Sequence, residues 1–315
     1  MADVAYIPGE AGRERRPGVG YAMVISAALL FALNGTVSKV VLQSGISSLE
    51  LTQVRATGAF LGFALVLALT RRQSLRLRLR ELPYLVVFGI AGVAMVQWLY
   101  FVSIDRLPIG IALLIEYIAP ILIALWAWAV FKEPIRRRIW AALVLAVVGL
   151  SFVVEAWSGL ALDGLGVAAA LSAAVAYAVY VLMAEHAVRL RDPASLTAYG
   201  FLFAALFWAA VQPLWRFPAG RVDDSVSLLG HLERFSLPVW SLLLYVVVAG
   251  TMVTFLLVAA ALRHISATRV GIVAMLEPVA ASAVAFLWLG ESFGAWQLVG
   301  GGVVLVAILL AQTAR

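Results

Sequence analysis

Glu116 stands in GIALLIEYIAP (110–120), within an apolar run from Ile109 to Phe131, and Glu277 stands in GIVAMLEPVA (271–280). In each stretch a glycine, Gly110 or Gly271, precedes the acid by six residues. An ionisable side chain in so apolar a setting costs on the order of 3 kcal/mol on membrane-insertion scales, so it faces protein or a water-filled cavity. Two chemistries fit such a carboxylate: binding a cationic group such as a substrate α-amine, or carrying a coupling proton. The competing role is structural, a hydrogen bond that ties helices together. Glu116 is the stronger functional candidate because no helix breaker directly follows it. Glu277 is followed by Pro278, so a local structural role competes there.

Neutral polar and aromatic residues at similar depth extend the candidate set. Asn34 and Gln97 can read a carboxylate or an amide, or serve as interhelical glue worth about 1 kcal/mol or less. Trp98, Tyr177 and Tyr180 can line an amphipathic cavity, or simply pack. Lys39 and Arg55 are expected to snorkel to the interface. Glu133 and Glu291 are expected to anchor structure, and the runs 168–170 and 300–302 are expected to make close helix contacts.

Other chemistries find no residues. Cysteine is absent, and His186, His231 and His264 are scattered with no HxxxH pair, so no metal site is expected. No GxSxG occurs, and the adjacent Asp223 and Asp224 fall in a loop, which argues against an intramembrane enzyme. No G-x-x-x-x-G-K-[ST] loop is present, so ATP is not expected as the direct driver, nor any cofactor. A non-transporting binding or scaffold role stays open.

The elements that must position these residues follow from composition. Of 315 residues, 64% are hydrophobic and 13% charged, far from the roughly 45–50% apolar and about 25% charged of soluble domains. Apolar blocks near the length of about 20 residues that a helix needs to cross a bilayer point to an all-α integral membrane protein. Ten spans are expected, at about 19–42, 50–70, 82–104, 108–131, 138–156, 164–187, 195–215, 238–262, 268–290 and 294–312. With the N-terminus cytoplasmic, 17 of the 23 basic residues fall on the inner side, Arg71, Arg72, Arg76, Arg78 and Arg80 among them. The positive-inside rule therefore expects both termini inside. It also accounts for the net charge of +6 through topology and anionic lipid rather than nucleic acid. Residues 1–18 read as a cytoplasmic tail without the pattern of a cleavable signal. The long outer connection at 216–237 is expected to be a structured lid or a plain loop.

The spans repeat. SAALLFA (26–32) answers to SAAVAYA (172–178) at an offset of 146, MVQWL (95–99) to MVTFL (252–256) at 157, and Pro120 to Pro278 at 158. Five spans (19–157) recur as five more (158–315). An odd count forces the second copy to enter from the opposite side, the inverted repeat of secondary transporters. In the 158 register Glu277 corresponds to Ala119 and Glu116 to Ala274, so the acids stand nearly one turn apart in equivalent helices, on roughly the same face, but are not symmetry mates.

With LPIGIALLIEYIAP (107–120) and ALRHISATRVGIVAMLEPVAASAVAFLWLGE (261–291), this pattern resembles the EamA branch of the drug/metabolite transporter superfamily. The first run also resembles the threonine/homoserine exporter group, where a Glu follows P-x-G-x-A. It departs at APIL (119–122), where Gly is expected before Pro. The resemblance implies a bacterial inner-membrane carrier that exports amino acids or other small metabolites. It also implies a central cavity formed by spans 1, 3, 4, 6, 8 and 9.

Overall fold

The structure, a computed structural model, describes residues 16–107, 109–132, 137–153, 157, 163–289 and 294–313. Helices dominate it. α1 (Pro17–Gln43) and α2 (Ser48–Thr70) form the first hairpin. A capping box starts α2: Ser47 N donates to Glu50 Oε2 at 2.7 Å and Glu50 N to Ser47 Oγ at 3.3 Å. α3 (Leu82–Val87), a π-helical turn (Phe88–Ala94) and α4 (Met95–Arg106) continue one another. Next come α5 (Ile109–Glu116), α6 (Ala119–Phe131) and α7 (Arg137–Val153).

α8 (Gly164–Ala187) and α9 (Pro193–Val211) begin on the N-caps Asp163 and Asp192. The connection at 216–237 is structured: β1 (Ser225–Ser227) pairs antiparallel with β2 (Ser236–Pro238), with Val226 opposite Leu237. α10 (Val239–Val247), a second π-helical turn (Val248–Val253) and α11 (Thr254–Ala261) make the next rod. α12 (Ala267–Ala274), α13 (Leu276–Val284) with a π-helical end (Ala285–Leu289), and α14 (Ala295–Thr313) complete the chain.

Among the described residues seven helical stretches are long and apolar enough to cross a bilayer: 17–43, 48–70, 79–103, 164–187, 193–211, 239–261 and 267–288. The protein is a helical, multi-pass membrane protein. The span expected at 108–131 is instead two helices broken at Tyr117–Ile118, which corrects the expectation that nothing interrupts the helix behind Glu116. Pro120 is the cause. It has no N–H to give to the Glu116 carbonyl, and the chain tightens through Ile118 N to Ile115 O at 3.1 Å. Pro278 stands in the same relation to the break at Met275, where Met275 N bonds to Ile272 O at 3.2 Å.

Packing crosses between the halves of the chain. α1 lies against α11, α12 and α13, whereas α8 lies against α4, α5, α6 and the first π-helical turn. α2 packs on α9, and α7 on α14. The last pair approaches closely at Gly149, where an added Cβ would stand 2.9 Å from the Gly300 carbonyl. The centre is aromatic: Tyr180 stacks on Phe88 at 5.5 Å, and Phe255 meets Tyr180 at 5.4 Å and Phe201 at 5.0 Å.

The two ends are tied differently. At the arginine-rich end, Arg191 donates to Glu81, to the carbonyls of Ser74 (3.2 Å) and Arg76 (2.9 Å), and to Ser195 Oγ (2.8 Å), with Tyr199 beneath it at 4.6 Å. Arg263 reaches the Arg191 carbonyl at 3.1 Å. At the hairpin end, Trp288 Nε1 donates to Leu228 O at 2.7 Å and Arg221 to Gly45 O at 2.7 Å.

Candidate functional site

The two helix breaks bring the acids together. Glu116 closes α5 and Glu277 opens α13. Tyr117, in the first break, spans the distance between them: its hydroxyl donates to Glu277 Oε2 at 2.7 Å. Glu116 is half-buried and has no hydrogen-bond or ion-pair partner among the described residues. It lies within electrostatic reach of Glu277, Tyr100 and Tyr177.

Arg55 joins this cluster, against the expectation that it snorkels. It sits seven residues into α2, about 10 Å along the axis, and is only 6% exposed. Its Nε donates to Thr251 Oγ1 at 3.1 Å, and its guanidinium lies over Phe101 at 5.9 Å. Thr251 in turn donates to Val246 O at 2.6 Å, so the π-helical turn fixes the arginine. Arg55 is in electrostatic reach of Glu277 and Tyr100. Lys39, by contrast, is exposed as expected.

The other candidates separate. Tyr177 belongs to the cluster, within reach of both acids. Tyr180, one turn on, is buried in the aromatic centre with its hydroxyl unpartnered, its backbone pressed on Gly92, where an added Cβ would meet Tyr180 Cα at 3.1 Å. Asn34 is buried against Gly250 of the second π-helical turn, with Oδ1 unpartnered. Gln97 is buried, bonds Val93 O at 3.1 Å and leaves Oε1 unpartnered. It lies one turn before Phe101 on the inward face of α4. Trp98 does not join them. It is 39% exposed, turned about 100° round the helix from Gln97, with its ring 6.2 Å from Trp208 of α9. Glu133 and Glu291 lie outside the described residues.

Sequence reasoning passed over Tyr100, Tyr117, Thr251 and the role of Arg55. The available signal for Arg55 was depth, since it lies as far into α2 as Glu116 lies into α5. Among the described residues no group of His, Asp or Glu is arranged to hold a metal ion.

A family model described as the EamA-like transporter family matches residues 18–155 and again 164–313. The chain belongs to the EamA-like transporter family. The resemblance carried by the run from Ala261 to Glu291 is therefore upheld.

EamA relatives include an uncharacterized transporter of Archaeoglobus fulgidus, 28% identical over 290 residues and covering 92% of this chain and 94% of its own. The threonine/homoserine exporter RhtA of Escherichia coli is 28% identical over 258 residues, covering 81% and 79%. The pseudopaline exporter CntI of Pseudomonas aeruginosa is 24% identical over 290 residues, covering 91% and 95%. A crystal structure 16% identical to the chain superposes with a TM-score of 0.75 over 93% of this chain and 96% of that one, which shows a shared fold.

Proposed function

We propose that the protein is a secondary transporter that exports amino acids or related small metabolites across the bacterial cytoplasmic membrane by alternating access. The observation that carries this reading is the meeting of Glu116 and Glu277 at the breaks of two discontinuous helices. Broken helices that present polar groups at mid-depth are the binding elements of inverted-repeat carriers. Glu116 takes the substrate's ammonium group, and Glu277, held by Tyr117, shares that role or carries a coupling proton. Tyr177, Gln97 and Asn34 complete the polar lining; Tyr180 closes it from below. The names of the exporters from Escherichia coli and Pseudomonas aeruginosa support export, and the former supports a small hydroxy amino acid as the first substrate to try.

The architecture belongs to the same proposal: ten spans in two inverted five-span repeats, residues 19–157 and 158–315, after a cytoplasmic tail. Its support is the crossed packing. At the offset of 146, Asn34 of α1 answers to Tyr180 of α8. Asn34 sits on the π-helical turn of the second half at Gly250, and Tyr180 on that of the first half at Gly92. The helix breaks at Tyr117 and Met275 fall in the 158 register. The distribution of basic residues supports a cytoplasmic position for the arginine-rich end and both termini.

The test is substrate counterflow by the purified protein in liposomes, with a panel of labelled amino acids, for the wild type and Glu116→Gln. Flux of one or more amino acids that the variant abolishes, with its melting temperature kept, is the expected result. Saturable binding without counterflow would make the protein a binding module instead, and unimpaired flux by Glu116→Gln would remove that residue from the mechanism.

A further inference from the structure

Arg55 lies within electrostatic reach of Glu277, which in turn faces Glu116, yet it forms an ion pair with neither acid. We infer that Arg55 is the receptor for a carboxylate on the substrate, so that the site selects α-amino acids over simple amines. The inference rests on the reading of Glu116 and Glu277 as the ammonium-binding acids.

An arginine this deep in a membrane span is costly unless paired. A guanidinium serving structure alone would be expected to close on Glu277, the acid within its reach. Instead it is held apart. Nε is committed to Thr251 Oγ1 at 3.1 Å, and that hydroxyl spends its own proton on Val246 O at 2.6 Å, so it can only accept from Arg55. One face of the group is set over Phe101. The two terminal nitrogens have no hydrogen-bond partner among the described residues. Those nitrogens form the fork that binds a carboxylate through two parallel hydrogen bonds.

Glu116, likewise without a partner, supplies the opposite charge. A zwitterion bridging Arg55 and the acids neutralises both sides at once. A simple amine satisfies the acids and leaves the guanidinium desolvated and alone, which is how a site rejects an analogue lacking one polar group.

The experiment measures thermal stabilisation of the full-length purified protein by each of the twenty proteinogenic amino acids. Each amino acid that binds is then compared with its amide and its decarboxylated amine. The wild type is expected to bind the acid at least tenfold more tightly than the amide. Arg55→Gln should lose that preference while keeping its affinity for the amine, and Arg55→Lys, which keeps the charge but not the fork, should fall between. If Arg55→Gln is not recovered folded, the wild-type ratio and Arg55→Lys decide. Equal binding of acid and amide by the wild type, or an undiminished preference in Arg55→Gln, overturns the inference and leaves the acids' role standing. Binding of amines but of no amino acid does the same. If neither amino acids nor amines bind, the reading of the acids falls with it.

Discussion

The Tyr117 hydroxyl, at the break between α5 and α6, donates to Glu277 Oε2 at 2.7 Å, joining one broken helix to the other. This bond orients the carboxylate of Glu277. A hydrogen bond to a charged group contributes about 1.5–3 kcal/mol. Tyr117→Phe keeps the ring and removes the donor. Its uptake into liposomes driven by a pH gradient is expected to fall about tenfold or more, the rate equivalent of 1.4 kcal/mol, with little change in melting temperature. Flux at the wild-type level would mean that the bond only packs the helices.

The two acids should separate under different driving forces. If Glu277 carries the coupling proton, Glu277→Gln loses uptake driven by a pH gradient but keeps one-for-one exchange of substrate, which moves no net proton. Glu116→Gln, which lacks the ammonium partner, should lose both. Both rates are read from the same liposomes, and equal loss of exchange in the two variants would place Glu277 in substrate binding rather than coupling.

Much of the helical fold was legible because hydropathy is carried by many residues at once. The long rods from Pro17, Ser48, Gly164, Pro193 and Val239 fall within a few residues of the spans read from apolar blocks. Glu116 and Glu277 were legible for the same reason, as charges in apolar surroundings. What was not legible depends on one face of a helix or one backbone turn. Nothing in the composition of α4 says that Gln97 and Phe101 turn inward and Trp98 outward. The break behind Glu116 was missed because Pro120 acts on the carbonyl four residues before it, rather than on its neighbour. Arg55 was assigned to the interface because its long side chain can snorkel, whereas Thr251 and Phe101 hold it in.

Gly250 should resist substitution because an added Cβ would overlap Asn34 Oδ1. Gly250→Ala is expected to lower stability by about 1–3 kcal/mol, the usual range for overpacking, measured as a drop in melting temperature in detergent. Pairing it with Asn34→Ala should recover most of the loss. A double variant no more stable than Gly250→Ala would show that the close approach is not what the glycine serves.

Because the chain has no cysteine, single introduced thiols report orientation cleanly. Ser225→Cys in β1 and Arg78→Cys before α3 are both exposed and at opposite ends of the bundle. A membrane-impermeant maleimide should label Ser225→Cys in intact cells and Arg78→Cys only after permeabilisation. The reverse pattern would invert the proposed topology.

Arg191 gathers the loop before α3, the turn before α9 and the face of Tyr199 at the arginine-rich end. Its side chain is 13% exposed, and it pairs with Glu81. Ala184, seven residues before Arg191 and within α8, is fully buried. If this end is one gate of an alternating-access cycle, these contacts hold it shut, and weakening them shifts the population towards the state open there. A change of about 1 kcal/mol alters such a ratio roughly fivefold. In Ala184→Cys, adding Arg191→Gln is therefore expected to speed maleimide labelling from the arginine-rich side about fivefold or more. Labelling of Arg78→Cys, already exposed, should not change. Arg191→Lys, which keeps a charge for Glu81 but loses the fork that reaches two carbonyls, should lie between. An unchanged labelling rate in Arg191→Gln would mean that the arginine stiffens the loops without governing access.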